Sequence, residues 1–223
     1  MKCVQAGEKE NGAILIIGND ATATTVCDNG HTQNVNIPCF KHEILFEIGI
    51  HAIKDGYYRE AISTFSASLE RYYEFVIRLL LTEYNSDSIE VAWKKISSQS
   101  ERQLGAYIFC HFMTFGKAPD VIPPKLVQLR NDVVHKGYIP KEIDAINYGA
   151  KVSDLINEGY QKLKSTHGDQ INEQMRRVMF PNPDETADKY QIIHTFLNIQ
   201  RDTARSSLHD YINTVSTHNS RRF

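Results

Sequence analysis

The side chains best suited to chemistry lie close together between positions 130 and 136 of the sequence. Histidine titrates near neutral pH, which makes His135 a candidate for taking or giving a proton. The planar guanidinium of Arg130 suits a phosphate group better than an ammonium group does. Asn131 precedes His135 by four residues, so the two would share one face of a helix. These residue types indicate a site that binds a phosphate and moves a proton. The alternative for His135 is a partly exposed histidine at the helix end, where the helix dipole favours its charge.

A single helix must carry this cluster, starting at Pro123-Pro124 and ending near Lys136, before Gly137. On a wheel of about 100° per residue, Arg130 falls near the middle of an apolar arc. The arc is formed by Leu126, Val127, Leu129, Val133 and Val134. An arginine there either covers the core with its stem and turns its charge to water or a carboxylate, or it meets a ligand phosphate.

Arg130 and His135 do not share a helix face, because five residues separate them by about 140°. One straight helix therefore cannot aim both side chains at the same atom from one side. Two arrangements remain open. Either the helix ends near His135, as Gly137 indicates, or the site forms where the helix meets its own copy in a symmetric dimer.

The segment Leu129–Gly137, with the sequence LRNDVVHKG, resembles the motif of the HEPN superfamily, in which an arginine precedes a histidine on a helix of an α-helical bundle. Residues 55–70 also resemble the early helices of that family, so the resemblance covers roughly residues 40–165. It implies a homodimeric, metal-independent endoribonuclease that needs no cofactor. Many such proteins act as toxins of toxin–antitoxin pairs or as antiviral-defence effectors.

The resemblance also implies a role for each residue of the cluster. His135 would transfer the proton when the ribose 2′-hydroxyl attacks the phosphate, and Arg130 would stabilise the charged phosphorane. Asn131 would orient the histidine or bind a phosphate oxygen, and Lys136 would add contacts to the RNA backbone.

The sequence departs from one branch of that family. Members neutralised by a nucleotidyltransferase antitoxin resemble one another in carrying a tyrosine two residues after the histidine. Here Gly137 stands at that place and Tyr138 follows it, so that mode of control is not expected. Some members are inactive binding domains. The alternative function is therefore a non-catalytic helical interaction or nucleotide-sensing subunit of a toxin–antitoxin or defence complex, with a partner protein in place of RNA.

Composition limits the remaining possibilities. The chain has 223 residues, of which 41% are hydrophobic, enough to bury a core. Its net charge of -2 predicts that an anionic partner such as RNA is held by a local patch. No apolar run approaches the roughly 20 residues that span a bilayer, and no secretory signal is recognised at the N-terminus. We therefore expect a cytoplasmic protein that does not contact membranes.

Changes of periodicity predict an all-α protein with three parts. Residues 1–38 contain short alternating segments and Asn29-Gly30, which indicate a small β hairpin. Residues 39–167 are expected to form an HEPN-like bundle of about five helices, the longest within residues 57–84. Residues 168–223 are expected to be a helical extension that completes the dimer or meets a partner.

Two further groups of side chains have open interpretations. Cys27, His31, Cys39 and His42 could ligate a structural zinc, but their spacings differ from the usual cysteine pairs, so buried thiols are the preferred interpretation and no metal site is predicted. Glu70 could face Arg130, and an ion pair is its expected role.

Aromatic residues at helical spacing are expected in the core rather than as stacking platforms for bases. They are Tyr57, Tyr58, Tyr72, Tyr73, Phe75, Phe109, Phe112 and Phe115.

Overall fold

The computed structural model describes residues 14–17, 22–26, 32–179, 195–199 and 207–215. This part of the chain is mostly helical, which confirms the predicted all-α class. The chain divides into two compact units, one formed by residues 1–40 and 173–194 and the other by residues 41–172 and 195–223.

The first unit contains three short antiparallel strands, β1 (Ile14–Ile17), β2 (Thr22–Val26) and β3 (Thr32–Asn36), which pair in the order β1-β2-β3. Asn29 and Gly30, on which the predicted hairpin turn depends, lie outside the described residues. The hairpin therefore stays a prediction.

The helices of the described chain are α1 (Lys41–Lys54), α2 (Tyr58–Leu80), α3 (Ser86–Ile96), α4 (Ser100–Phe115), α5 (Pro124–His135), α6 (Glu142–Met179) and α7 (Leu208–Thr214). The sequence predicts that the helix after Pro140 ends at His167-Gly168. In α6 the backbone leaves the helical region at His167 (φ -131°, ψ 30°), and a helical segment then continues to Met179.

Local sequence signals explain most of these boundaries. Pro124 begins α5 at the first helical position, where its missing N–H has no intrahelical partner in any case. Gly116 and Gly137 follow α4 and α5 with φ of 68° and 69°, a region that glycine adopts without strain. Asp87 and Ser88 near the start of α3 are residue types that can cap a helix, but neither is the cap here. The cap is Asn85, whose Oδ1 accepts hydrogen bonds from both of their backbone amides, at 2.9 and 3.2 Å.

The core of the second unit is built around α2, which contacts α1, α4 and α5. The Phe65 ring on α2 lies between two glycines, Gly49 of α1 and Gly149 of α6. A Cβ atom at either glycine would approach the ring to within 2.6 or 2.7 Å, so these helices can pack closely only because both positions lack a side chain.

The described C-terminal segments pack against α1 of the same unit. The backbone amide of Phe196 donates to Glu47 Oε2 at 2.9 Å, and that of Ile199 donates to Glu43 Oε1 at 2.8 Å. The Phe196 ring stacks on Phe46 at 5.7 Å between centroids. These parts of the predicted extension therefore belong to the fold of their own chain.

The prediction of buried aromatic side chains is right for three residues of α2, but it is wrong for Tyr57, which precedes α2 and is 59% exposed, and for part of α4. Tyr72, Tyr73 and Phe75 are buried, whereas Phe109 and Phe112 are 70% and 52% exposed. Helical periodicity identifies an apolar face but does not say whether another element covers it.

Within the described residues, no helix has both the length and the apolar character that crossing a membrane requires.

Candidate active site

Helix α5 lies on α2, and this contact determines the direction of its side chains. Val133 is the fully buried residue of α5, while Leu126, Leu129 and Val134 are half-buried. Arg59 of α2 donates through Nε to the backbone carbonyl of Val133 at 3.3 Å, which attaches the last turn of α5 to α2. The apolar arc predicted from the sequence is thus the face that meets α2, although it is only partly covered.

Arg130 points into this helix–helix contact, and each nitrogen of its guanidinium has a partner. Nε donates to Ser66 Oγ at 3.3 Å, Nη1 donates to Asn131 Oδ1 at 3.1 Å, and Nη2 donates to Glu70 Oε1 at 3.3 Å. The side chains of Arg130 and Glu70 are only 25% and 26% exposed. The predicted ion pair between Glu70 and Arg130 is confirmed.

These contacts leave part of the hydrogen-bonding capacity of Arg130 unused by the described residues. A guanidinium carries five N–H donors, one on Nε and two on each terminal nitrogen. The three bonds to Ser66, Asn131 and Glu70 use one donor on each nitrogen. One N–H on Nη1 and one on Nη2 are left, and a pair of donors of this kind can bind two oxygens of a phosphate.

Two buried tyrosines, Tyr73 and Tyr148, lie near this pair. Burial raises the pKa of the Tyr148 phenol on α6, while the nearby Ser66 hydroxyl and the charge of Arg130 act in the opposite direction. Burial also raises the pKa of Tyr73, and its hydroxyl has no hydrogen-bond partner in the part of the chain that the structure describes. Both phenols are therefore neutral at physiological pH.

His135 occupies a different environment at the end of the same helix. It is the last residue of α5, is exposed, and its side chain forms no hydrogen bond with the described residues. Lys136 follows it and forms an exposed ion pair with Asp132 at 2.7 Å. The hydrogen bond from Lys136 lowers the pKa of Asp132, and a second hydrogen bond from Gln128 acts in the same direction.

The structure therefore joins two of the four predicted site residues. The side chains of Arg130 and Asn131 are hydrogen-bonded, whereas within the described chain the side chains of His135 and Lys136 have no hydrogen bond to either. The oxygen of Asn131 accepts from Arg130, so it is already engaged with the guanidinium rather than with His135. Helix α5 ends at His135, as Gly137 indicates in the sequence.

Sequence analysis missed Ser66 and Tyr148 as neighbours of Arg130. Ser66 and Glu70 are four residues apart on α2, so they lie on the same face, and this spacing is a signal that pairs them once α5 is known to pack there. Tyr148 lies on α6, and nothing in the sequence indicates that it reaches the same place.

Metal-ligating side chains do not gather in the described residues. No group of three or more His, Cys, Asp or Glu side chains there could hold a metal ion. Cys39 and His42 are both buried, and His42 Nε2 forms a short hydrogen bond with the Tyr160 hydroxyl. Cys27 and His31 lie outside the described residues, so the zinc alternative stays a hypothesis.

Comparison with family models, with characterised proteins and with solved structures found no match to this chain. The resemblance to the HEPN superfamily therefore rests on the sequence alone, at residues 55–70 and 129–137.

Proposed function

We propose that this protein is a metal-independent endoribonuclease with an HEPN-like fold, whose active site combines Arg130 and His135 from two copies of the chain and which acts as a toxin or antiviral-defence effector. The arrangement of Arg130 supports this proposal most directly. Its guanidinium is held in place by three side chains and keeps one N–H donor on each terminal nitrogen. An exposed histidine lies at the end of the same helix.

The proposed reaction needs only these side chains. One His135 removes the proton of the ribose 2′-hydroxyl, whose oxygen attacks the phosphorus atom. The bond to the 5′-oxygen breaks, and that oxygen receives a proton from the second copy's His135, which acts as the acid. The products are a 2′,3′-cyclic phosphate and a 5′-hydroxyl. Arg130 stabilises the negative charge that gathers on the non-bridging oxygens, which favours the transition state over the ground state.

Asn131 and Lys136 have supporting roles in this proposal. Asn131 fixes one edge of the guanidinium through its side-chain oxygen. The ammonium group of Lys136 is exposed next to His135, where it can contact a neighbouring phosphate of the RNA.

Exposed apolar side chains support a second copy as the partner. Phe109, Phe112 and Met113 are all more than half exposed on one side of α4, where they recur at helical spacing. Ile139 and Ile143, which follow α5, are also more than half exposed. Large apolar side chains exposed together are typical of surfaces that meet another protein.

A second function is favoured by the same three contacts of Arg130. They engage every nitrogen of the guanidinium and pair its charge with Glu70, as expected of an arginine that holds two helices together. In that case the protein is a non-catalytic interaction or nucleotide-sensing subunit of a toxin–antitoxin or defence complex, and its exposed apolar side chains bind a partner protein.

Cleavage of labelled single-stranded RNA and of a transfer-RNA pool in excess EDTA separates the two functions. We expect the wild type to cleave and to leave 2′,3′-cyclic phosphate ends. His135→Ala and Arg130→Ala should each lose about 100-fold or more of the rate while staying folded. His209→Ala, at an exposed position of α7, is the matched control and should cleave like the wild type. No cleavage by the folded wild type, or equal cleavage by His135→Ala, would favour the interaction subunit.

A further inference from the structure

We propose that Glu70, together with Ser66, is a positioning residue for Arg130: these two side chains of α2 fix the orientation in which the guanidinium meets the phosphate. The inference rests on the proposed function and extends its site from α5 to α2. Glu70 does not touch the RNA in this proposal and acts only through Arg130.

The two contacts hold adjacent nitrogens of one planar group. Ser66 accepts from Nε and Glu70 accepts from Nη2, both at 3.3 Å. The acceptors are one helical turn apart on α2, so their separation is set by a rigid helix rather than by a loop. Because both lie on one edge of the guanidinium, the plane cannot turn without breaking at least one bond. The remaining donors on Nη1 and Nη2 are thereby fixed in direction.

Charge also favours this arrangement over a freely moving arginine. The Arg130 side chain is only 25% exposed, and its charge acts on the buried phenol of Tyr148. An unpaired charge at such a position is costly, whereas a carboxylate partner compensates for it. Glu70 therefore keeps Arg130 in place before RNA binds. Without that carboxylate, the long arginine side chain gains by turning its charge toward water.

Glu74 provides a matched control on the same helix. It lies one turn beyond Glu70, is 21% exposed, and forms ion pairs with Arg71 and Arg78 but not with Arg130. Its replacement removes at least as many ion pairs as the replacement of Glu70. A general loss of helix stability should therefore affect Glu74→Ala at least as strongly as Glu70→Ala.

The first measurement does not depend on activity. Solvent exchange of the Arg130 Nε–H proton is followed by NMR in the full chain, and its signal is assigned by its absence in Arg130→Lys. We expect exchange to become about tenfold faster or more in Glu70→Ala, because the side chain is released into solvent. Glu70→Gln keeps an acceptor and should lie between Glu70→Ala and the wild type. Glu74→Ala should exchange like the wild type. Unchanged exchange in Glu70→Ala would overturn the inference.

The second measurement is the kinetics of RNA cleavage by the same variants. We expect Glu70→Ala to lower kcat by about tenfold or more with little change in KM, because a misdirected guanidinium loses transition-state contacts. Glu70→Gln should recover part of this loss, and Glu74→Ala should retain the wild-type kcat. Equal kcat values for Glu70→Ala and Glu74→Ala would overturn the inference. If the wild type cleaves no RNA, the proposed function fails, and the exchange measurement alone still decides whether Glu70 positions Arg130.

Discussion

The buried histidine of α1 makes the stability of the fold depend on pH. His42 is almost fully buried, and its ring packs against Phe75, Tyr72 and Tyr160 at centroid distances of 5.2, 5.5 and 5.8 Å. Burial lowers the pKa of this imidazole from about 6.5 to about 3. The neutral ring therefore persists in the folded protein at pH values where the unfolded chain has already gained a proton.

The sign of the effect follows from this difference. Between about pH 6.5 and pH 3 the unfolded state binds one more proton at His42 than the folded state does, so the free energy of unfolding rises with pH across this window. The stability that the neutral His42 ring contributes is complete above the pKa of the unfolded state, about 6.5. It is lost as the pH falls toward the pKa of the folded state, about 3. The slope approaches about 1.4 kcal/mol per pH unit, and the loss between pH 6 and pH 4 is about 2.5 kcal/mol.

Urea unfolding at pH 4, 5 and 6 measures this loss, and replacing His42 isolates it from other titrating groups. His42→Gln cannot gain a proton, so the change in its free energy of unfolding over this range should be smaller than that of the wild type by about 2.5 kcal/mol. His51→Gln, at an exposed position of the same helix, should follow the wild type. If His42→Gln and the wild type lose stability in parallel between pH 6 and pH 4, the buried-imidazole argument is refuted.

Two further predictions concern packing and helix capping. A Cβ at Gly159 would lie 1.7 Å from the Tyr72 hydroxyl oxygen, so Gly159→Ala should destabilise the protein by about 1–3 kcal/mol, and Tyr72→Phe in the same chain should restore part of that loss in urea unfolding. Equal stability of Gly159→Ala and the wild type would contradict this packing. Asn85→Ala should cost about 1 kcal/mol because it removes the cap of α3. Gln99→Ala, where the residue before α4 makes no side-chain cap, should be close to neutral, and equal costs for the two substitutions would show that capping is not the cause.

The sequence is most informative where one residue type determines the local backbone. Pro124 and Gly137 are sufficient to predict the start and end of α5, because proline has no N–H and glycine tolerates positive φ. Adjacent polar residues are harder to tell apart. Asn85, Asp87 and Ser88 can all cap a helix, and the choice among them depends on the backbone that precedes α3.

Long-range contacts explain why only part of the candidate site was predicted. Helical spacing placed Arg130 on the apolar face of α5, and that face meets α2, where Glu70 accepts its hydrogen bond. Tyr148 lies near Arg130 only because α6 packs beside α2. Periodicity within one helix does not determine how two helices pack. The exposure of Phe109 and Phe112 was not predicted for the same reason, since it depends on whether another element or another chain packs on α4.

The described C-terminal segments contact both α1 and α6. Carboxylates with little access to water need hydrogen-bond donors. The buried Glu43 and the half-buried Glu47 each accept from one backbone amide of residues 195–199 and from one tyrosine hydroxyl. The same segments bring Leu208 of α7 against Gly149, where a Cβ would lie 3.0 Å from Leu208 Cδ2. The residue before Gly149 is Tyr148, which adjoins Ser66 and Arg130. Leu208 therefore helps to hold α6 in its position beside Arg130. Because Leu208 lies nearly eighty positions after Arg130 in the chain, the motif at residues 129–137 does not reveal this dependence.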